Sequence, residues 1–182
     1  MNEIVWPTID SKHLIVDSRQ MLMLEKEMFS DGMPQEALME KAGIQISRWL
    51  LKRKFLLKHG ITVLVGPGHN GGDGAVLARE LFLKGFLVKV WCPFPIKKTL
   101  TSKHLNYLTT IGVKKLVEPP DVNGKELWID AVFGNNQTRK VDNKLIKLIN
   151  QKFHNNYGKV ISIDIPTGLC PDNGKRLSII WT

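Results

Sequence analysis

Cysteine is scarce in this chain of 182 residues: Cys92 and Cys170 stand far apart, and neither forms a C-x-x-C pair. The pattern argues against a disulfide framework or a cysteine-based zinc site and reads as two reduced thiols in a reducing compartment. No apolar run approaches the roughly 20 residues needed to cross a bilayer. The opening stretch, MNEIVWPTIDSKH, lacks the basic and apolar regions of a secretory signal. A cytoplasmic protein without a membrane partner is expected. Concentrated charge of one sign is missing too. The net charge is +9, but the clusters Lys52-Arg53-Lys54, Lys97-Lys98, Lys114-Lys115 and Arg139-Lys140 fall on different predicted elements. A nucleic-acid binder gathers such residues on one face, with aromatics between them where single strands stack. No nucleic-acid partner is expected, whereas an anionic small molecule suits the balance.

What is present is an ordinary globular composition, 43% hydrophobic and 24% charged, with a clear change of pattern near residue 61. Before it, residues 14–32 place Met21, Leu24 and Met28 at helical spacing, with Ser18 as N-cap and Gly32 as stop. After Pro34 a long amphipathic helix is predicted as far as Gly60. The Met and Leu stripe of these two helices reads as core. Gly43 inside the second costs about 1 kcal/mol against alanine, so close packing is expected there. From residue 61 strands and helices alternate. ITVLVG, FLVKVWCPF, KKLVE, ELWIDAVFG and KVISIDIPTG read as strands; GGDGAVLARELFLKG, SKHLNYLTTIG and NKLIKLINQKFHNN read as helices. That alternation predicts an α/β fold, a mostly parallel sheet with helices on both faces, as one domain over 1–182.

The stretch VLVGPGHNGGDGAVLAREL, residues 63–81, has the outline of a phosphate-binding loop. Gly66, Gly68 and Gly71 satisfy G-x-G-x-x-G between a strand and a helix. A dinucleotide fingerprint also needs an acid at the end of the second strand, about 20 residues on. No Asp or Glu lies between Glu80 and Glu118, which disfavours an ordinary dehydrogenase. The alternative loop, G-x-x-x-x-G-K-[ST], needs a lysine for the terminal phosphates; here Asp73 follows Gly72. Asp73 alone reads equally as a helix cap. Four glycines within residues 68–74 exceed what a cap requires, and they predict a backbone approached closely by a ligand.

Two later strand ends carry similar residues. WIDAVFG brings Asp130 and Gly134; VISIDIPTG brings Asp164, Pro166 and Thr167. Ligands of open α/β sheets bind outside the carboxyl ends of the strands, so Asn70, Asp73, Asp130, Asp164 and Thr167 are expected at one site. Oxygen donors of this kind suit a hard cation rather than zinc.

GPGHNGGDG, DAVFG and DIPTG, in that order, together with LMEKAG in the N-terminal half, resemble the NAD(P)H-hydrate epimerase family, the YjeF N-terminal domain. The similarity runs from about residue 18 to residue 174. The resemblance implies a Rossmann-like three-layer α/β/α domain preceded by two N-terminal helices, with C-terminal edge strands missing. It implies an isomerase that interconverts the R and S epimers of hydrated NADH or NADPH, coupled to an S-specific dehydratase. By position, His69, Asn70, Gly71, Gly72 and Asp73 would contact this substrate, as would Gly134, Asn135, Asn136, Gln137, Thr138, Arg139 and Lys140, and Asp164. Asn70, Asp130 and Thr167 would hold K+. A homodimer is also carried as an expectation.

Epimerisation at C6 requires the hydroxyl to leave and water to return through a cationic ring. A carboxyl group can protonate the leaving hydroxyl, and carboxylates can stabilise the cation. Asp164 is the expected acid/base, with Asp73 second. The chain departs from the family pattern at His69, at Thr167 and in the 135–140 loop, where Asn136 can adopt left-handed backbone as glycine does. Those departures sustain a second reading, a non-catalytic nucleotide-binding module.

Overall fold

The computed structural model describes residues 15–137, 140–155 and 159–177. Its centre is a five-stranded sheet in the order β3-β2-β1-β4-β5, formed by β1 (Ile61–Val65), β2 (Val88–Trp91), β3 (Lys114–Leu116), β4 (Leu127–Ala131) and β5 (Val160–Ser162). Every pairing is parallel, β1 running beside β2 on one side and β4 on the other. The helices are α1 (Ser18–Ser30), α2 (Gln35–Leu51), α3 (His69–Leu83), α4 (Thr99–Thr110) and α5 (Asn143–His154).

Strand alternation explains the layers. Ile61, Val63 and Val65, with Val88, Val90, Leu127, Ile129 and Ala131, pack against Leu50 of α2, Ala75, Leu77, Ala78 and Leu81 of α3, and Leu105 and Leu108 of α4. The opposite face, Leu64, Trp91, Trp128 and Val132, packs against Leu145, Ile146 and Ile149 of α5. Both faces are therefore covered, as parallel sheets require. Central strands β1 and β4 are buried at every position, which is why they read as apolar runs interrupted only by Thr62 and Asp130. Helix α2 crosses α3 closely at Gly43, where a Cβ would lie 2.6 Å from Val76 Cβ and 2.9 Å from the Asp73 carbonyl oxygen. The close packing expected at that glycine is present. No helix among the described residues is long and apolar enough to cross a membrane.

Three expectations are corrected. The N-cap of α1 is Asp17, whose carboxylate accepts from Gln20 N–H in a reciprocal capping box; Ser18 is the first helical residue. Helix α2 ends at Leu51, not at Gly60: a 3-10 turn over Lys54–Leu57 follows it and brings Leu57 into the core. Gly60, at φ 83°, then turns the chain into β1. The apolar residues of α1 are not core either. The helix has no buried residue, and Leu22, Met23, Leu24 and Met28 are all exposed.

Candidate functional site

Strands β1, β4 and β5 all end at the same edge, and the segments leaving them meet there. Chain leaving β1 turns at Gly66-Pro67-Gly68 and enters α3 at His69, so the second glycine pair lies inside the first turns of the helix rather than in a loop. Most of these glycines are explained by protein packing. A side chain at Gly66 would collide with the Val132 carbonyl, one at Gly71 with the Gly66 backbone, and one at Gly72 with Met39. At Gly74 a Cβ would stand 2.5 Å from Ala131 Cβ. Gly68 alone of this group opens onto free space. It caps α3 with its backbone, with no side-chain bond to the first turn. Asp73, the fifth residue of the helix, is therefore not its cap, and among the described residues the first-turn N–H groups of α3 have no side-chain partner.

A cleft of about 840 Å³ opens over these strand ends, within the range of small-molecule sites. Gly68, His69, Asn70 and Asp73 line it from α3, Gly134, Asn135, Asn136 and Gln137 from the segment after β4, and Asp164 from the turn after β5. Gly71 and Gly72 are buried beneath it, and Lys140 is exposed outside it. Thr138 and Arg139 lie outside the described residues.

Asp164 is held in an unusual way. It is the one non-glycine residue among the described ones with positive φ, at 65°. Left-handed backbone is costly except for Gly, Asn and Asp and often marks a functional turn; here it falls on Asp164 and not on Asn136. Asn135 N–H donates to Asp164 Oδ2 at 2.6 Å. Gly134 makes room for this, since a Cβ there would lie 2.6 Å from the same oxygen. Burial raises the Asp164 carboxyl above its ordinary range, and the Asn135 N–H partly offsets it. Asp73 is perturbed more strongly. Burial first, then the charges of Asp164 and Glu25, push its carboxyl from 3.8 to about 7. A carboxyl group with that value can hold or release a proton near neutral pH.

Beneath the cleft floor, Asp130 is fully buried. Oδ1 accepts from Thr167 Oγ1 at 2.7 Å and Val132 N at 3.2 Å. Oδ2 accepts from Thr167 N at 2.9 Å and Ser162 Oγ at 3.0 Å. All four donors are neutral, and burial raises the carboxyl. Asn70 approaches from the other side, its amide donating to the Ile163 carbonyl at 3.5 Å. Asp130 and Thr167 are thus in direct contact, while no hydrogen bond among the described residues joins Asn70 to either. Gln137 ties the two strand-end segments together: its amide donates to the Pro166 carbonyl at 3.0 Å and accepts from Gly168 N–H at 2.8 Å.

The model of the family described as "YjeF-related protein N-terminus" matches residues 35–181. This chain belongs to that family. Among relatives of this YjeF-related chain, the bifunctional NAD(P)H-hydrate repair enzyme Nnr of Synechocystis sp. is 40% identical over 91% of this chain and 32% of its own length. The NAD(P)H-hydrate epimerase of Oenococcus oeni is 34% identical, with 79% of this chain and 69% of that protein covered. In structure, the yeast protein ynu0 superposes with a TM-score of 0.71 at 26% identity, covering 85% of this chain and 71% of that one. The chain spans about a third of the length of the bifunctional relatives it matches.

Several cleft residues escape a reading that looks for strand ends. Met21, Glu25 and Phe29 line the cleft from α1, Gln35 from α2, and Lys98 from the segment before α4. Gln35 Nε2 lies 3.3 Å from His69 Nδ1, and burial and Lys98 hold the His69 ring below its usual pKa. The only sequence signal for α1 is its helical spacing, which does not distinguish a core face from a cleft wall.

Proposed function

We propose that this protein interconverts the R and S epimers of hydrated NADH or NADPH. The observation that carries this is the meeting of Asp73, titrating near 7, with Asp164 in one cleft, on a chain whose relatives bear the names NAD(P)H-hydrate epimerase and repair enzyme. Those names also support the catalytic reading over a binding module.

Epimerisation breaks the bond from ring C6 to its hydroxyl. A protonated carboxyl gives its proton to the departing oxygen, the bonding pair leaves with that oxygen as water, and the ring becomes a cation. Water then adds on the opposite face and yields its proton to an ionised carboxylate. One proton passes from the first acid to the second, and the ring is neutral again. Asp164, carried on its strained turn and steadied by Asn135, is assigned as the principal acid/base; Asp73 is the partner carboxyl that takes up or returns that proton near neutral pH. The uncapped first turn of α3 and nearby Lys98 supply donors and charge for the dinucleotide phosphates.

The chain's residues also fit a potassium ion. Asp130 is a buried carboxyl with only neutral hydrogen-bond donors, and Asn70 and Thr167 add neutral oxygens, a set suited to a hard cation. Bound there, the ion would neutralise Asp130. A cytoplasmic setting, coupling to an S-specific dehydratase and a homodimer complete the reading.

Supplying the R hydrate of NADH with an S-specific dehydratase and potassium tests it. Recovery of NADH absorbance should be accelerated by the protein and lost in Asp164→Asn. Recovery at the spontaneous rate with folded wild-type protein would reject the assignment.

A further inference from the structure

Helix α1 touches the rest of the molecule in a way its sequence does not announce. Its anchor is at the N-terminal end, where Ser18 N–H and Ser18 Oγ each donate to Asp172 at 2.7 Å. Along the helix the half-buried positions are Ser18, Met21, Glu25 and Phe29, spaced three, four and four residues apart. This is one face, and Met21, Glu25 and Phe29 on it line the cleft. A carboxylate therefore stands between a methionine and a phenylalanine on the inward stripe. Among the described residues it makes no hydrogen bond and no ion pair. A charge left partly desolvated without a partner is a cost to the fold.

The other charged groups facing this space are Lys26 on α1, Asp73 with the neutral His69 on α3, Lys98 before α4, and Asp164 after β5. Glu25 feels the charge of Asp164, and Asp73 feels both. Three carboxylates from three separate segments thus converge on one cleft that also carries Lys26 and Lys98, and beside the carboxylates a cation is favoured.

We infer that Glu25 is a further specificity-determining carboxylate of this cleft, turned towards the nicotinamide ring of a bound dinucleotide and favouring the ring's cationic form over its neutral form. The inference rests on the epimerase reading for the identity of the ligand and extends it to a residue outside the three strand-end motifs. If C6 loses its hydroxyl, the ring gains a positive charge, and a carboxylate placed there lowers the energy of that state more than that of the neutral hydrate.

The test compares the full chain with Glu25→Gln, which keeps the side chain's shape, and Glu25→Asp, which keeps its charge. Equilibrium binding is measured at pH 8 for NAD+, whose ring is cationic, and for NADH, whose ring is neutral. Glu25→Gln should weaken NAD+ binding about tenfold, the effect of removing one partly screened charge several ångströms away, and leave NADH within about twofold. In turnover it should lower kcat while KM for the hydrate stays close to wild type, as expected for a group acting on the cation. Glu25→Asp should recover most of both effects. Equal weakening of NAD+ and NADH would mean a packing role and overturn the inference, as would unchanged binding of both, or wild-type protein that binds neither. Failure of the epimerase reading looks different: wild-type protein binds but does not accelerate epimerisation.

Discussion

Replacing Asp73 by Asn removes a charge from the cleft while keeping the side chain's size, and the consequence for stability can be worked out. The folded-state carboxyl sits at about 7, against 3.8 for an unperturbed aspartate, with burial the largest cause. Because the folded value is raised, the unfolded chain ionises first as pH climbs through 3.8, while the folded chain keeps its proton until about 7. Across that window the unfolded state binds fewer protons, so stability falls with rising pH and levels off above it. At 1.36 kcal/mol per pH unit the full cost is roughly 4 kcal/mol. Asn is neutral throughout. Asp73→Asn in unliganded, potassium-free protein should therefore be more stable than wild type by roughly 2–4 kcal/mol at pH 8 and nearly equal to it at pH 4. Urea denaturation at both pH values measures this, and the thermal midpoint at pH 8 should rise by about 2–4 °C for each kcal/mol. The same variant should epimerise about a hundredfold or more slowly, the usual loss when an acid/base group is removed. Equal gains at pH 4 and pH 8 would show that packing is responsible. No gain at pH 8 would refute the electrostatic argument altogether.

Gly134→Ala would put a Cβ 2.6 Å from Asp164 Oδ2; it should displace that carboxylate and cut kcat at least tenfold while the urea midpoint barely moves. Thr167→Val deletes the 2.7 Å hydroxyl bond to buried Asp130 and should cost about 1–3 kcal/mol. If potassium binds here, the thermal midpoint of wild type should rise with potassium over an N-methylglucamine control, and that rise should vanish in the variant. Gly43→Ala forces a methyl group to 2.6 Å from Val76 Cβ, and overpacking of this kind should destabilise by about 1–3 kcal/mol in a urea melt.

The parts of this molecule that sequence reveals are those where one physical requirement acts alone. Strands β1 and β4 are buried at every position, so their sequences are apolar apart from Thr62 and Asp130, and glycine follows each strand within a few residues. That is enough to find Asp73, Asp130 and Asp164. Helix α1 is harder because two requirements overlap on it. Its exposed Met23 and Leu24 sit beside the cleft-facing Met21, Glu25 and Phe29, so its pattern imitates a core helix while its inward stripe carries a charge. The end of α2 was hidden for a similar reason: Lys52 and Arg53 continue a helical pattern, but Leu57 and Gly60 are needed in other places.

The glycines near the start of α3 show how a packing requirement becomes a chemical one. Their composition suggests a loop that lets a phosphate approach the backbone. Instead Gly71 and Gly74 let α3 settle against Gly66 and Ala131, while Gly43 lets α2 settle against the carbonyl of Asp73. Asp73 lies where these two close approaches meet, half-buried at the wall of the cleft. Burial is the first cause of its raised pKa, ahead of the charges of Asp164 and Glu25. The absence of side chains at positions 43, 71 and 74 thus helps place the proton on Asp73 near neutral pH. A longer side chain at any of the three would move the helices apart, let water reach the carboxyl, and lower its pKa towards that of an ordinary aspartate. The glycine-rich segment thus acts on the electrostatics of one acid, and among its glycines Gly68 alone faces open space.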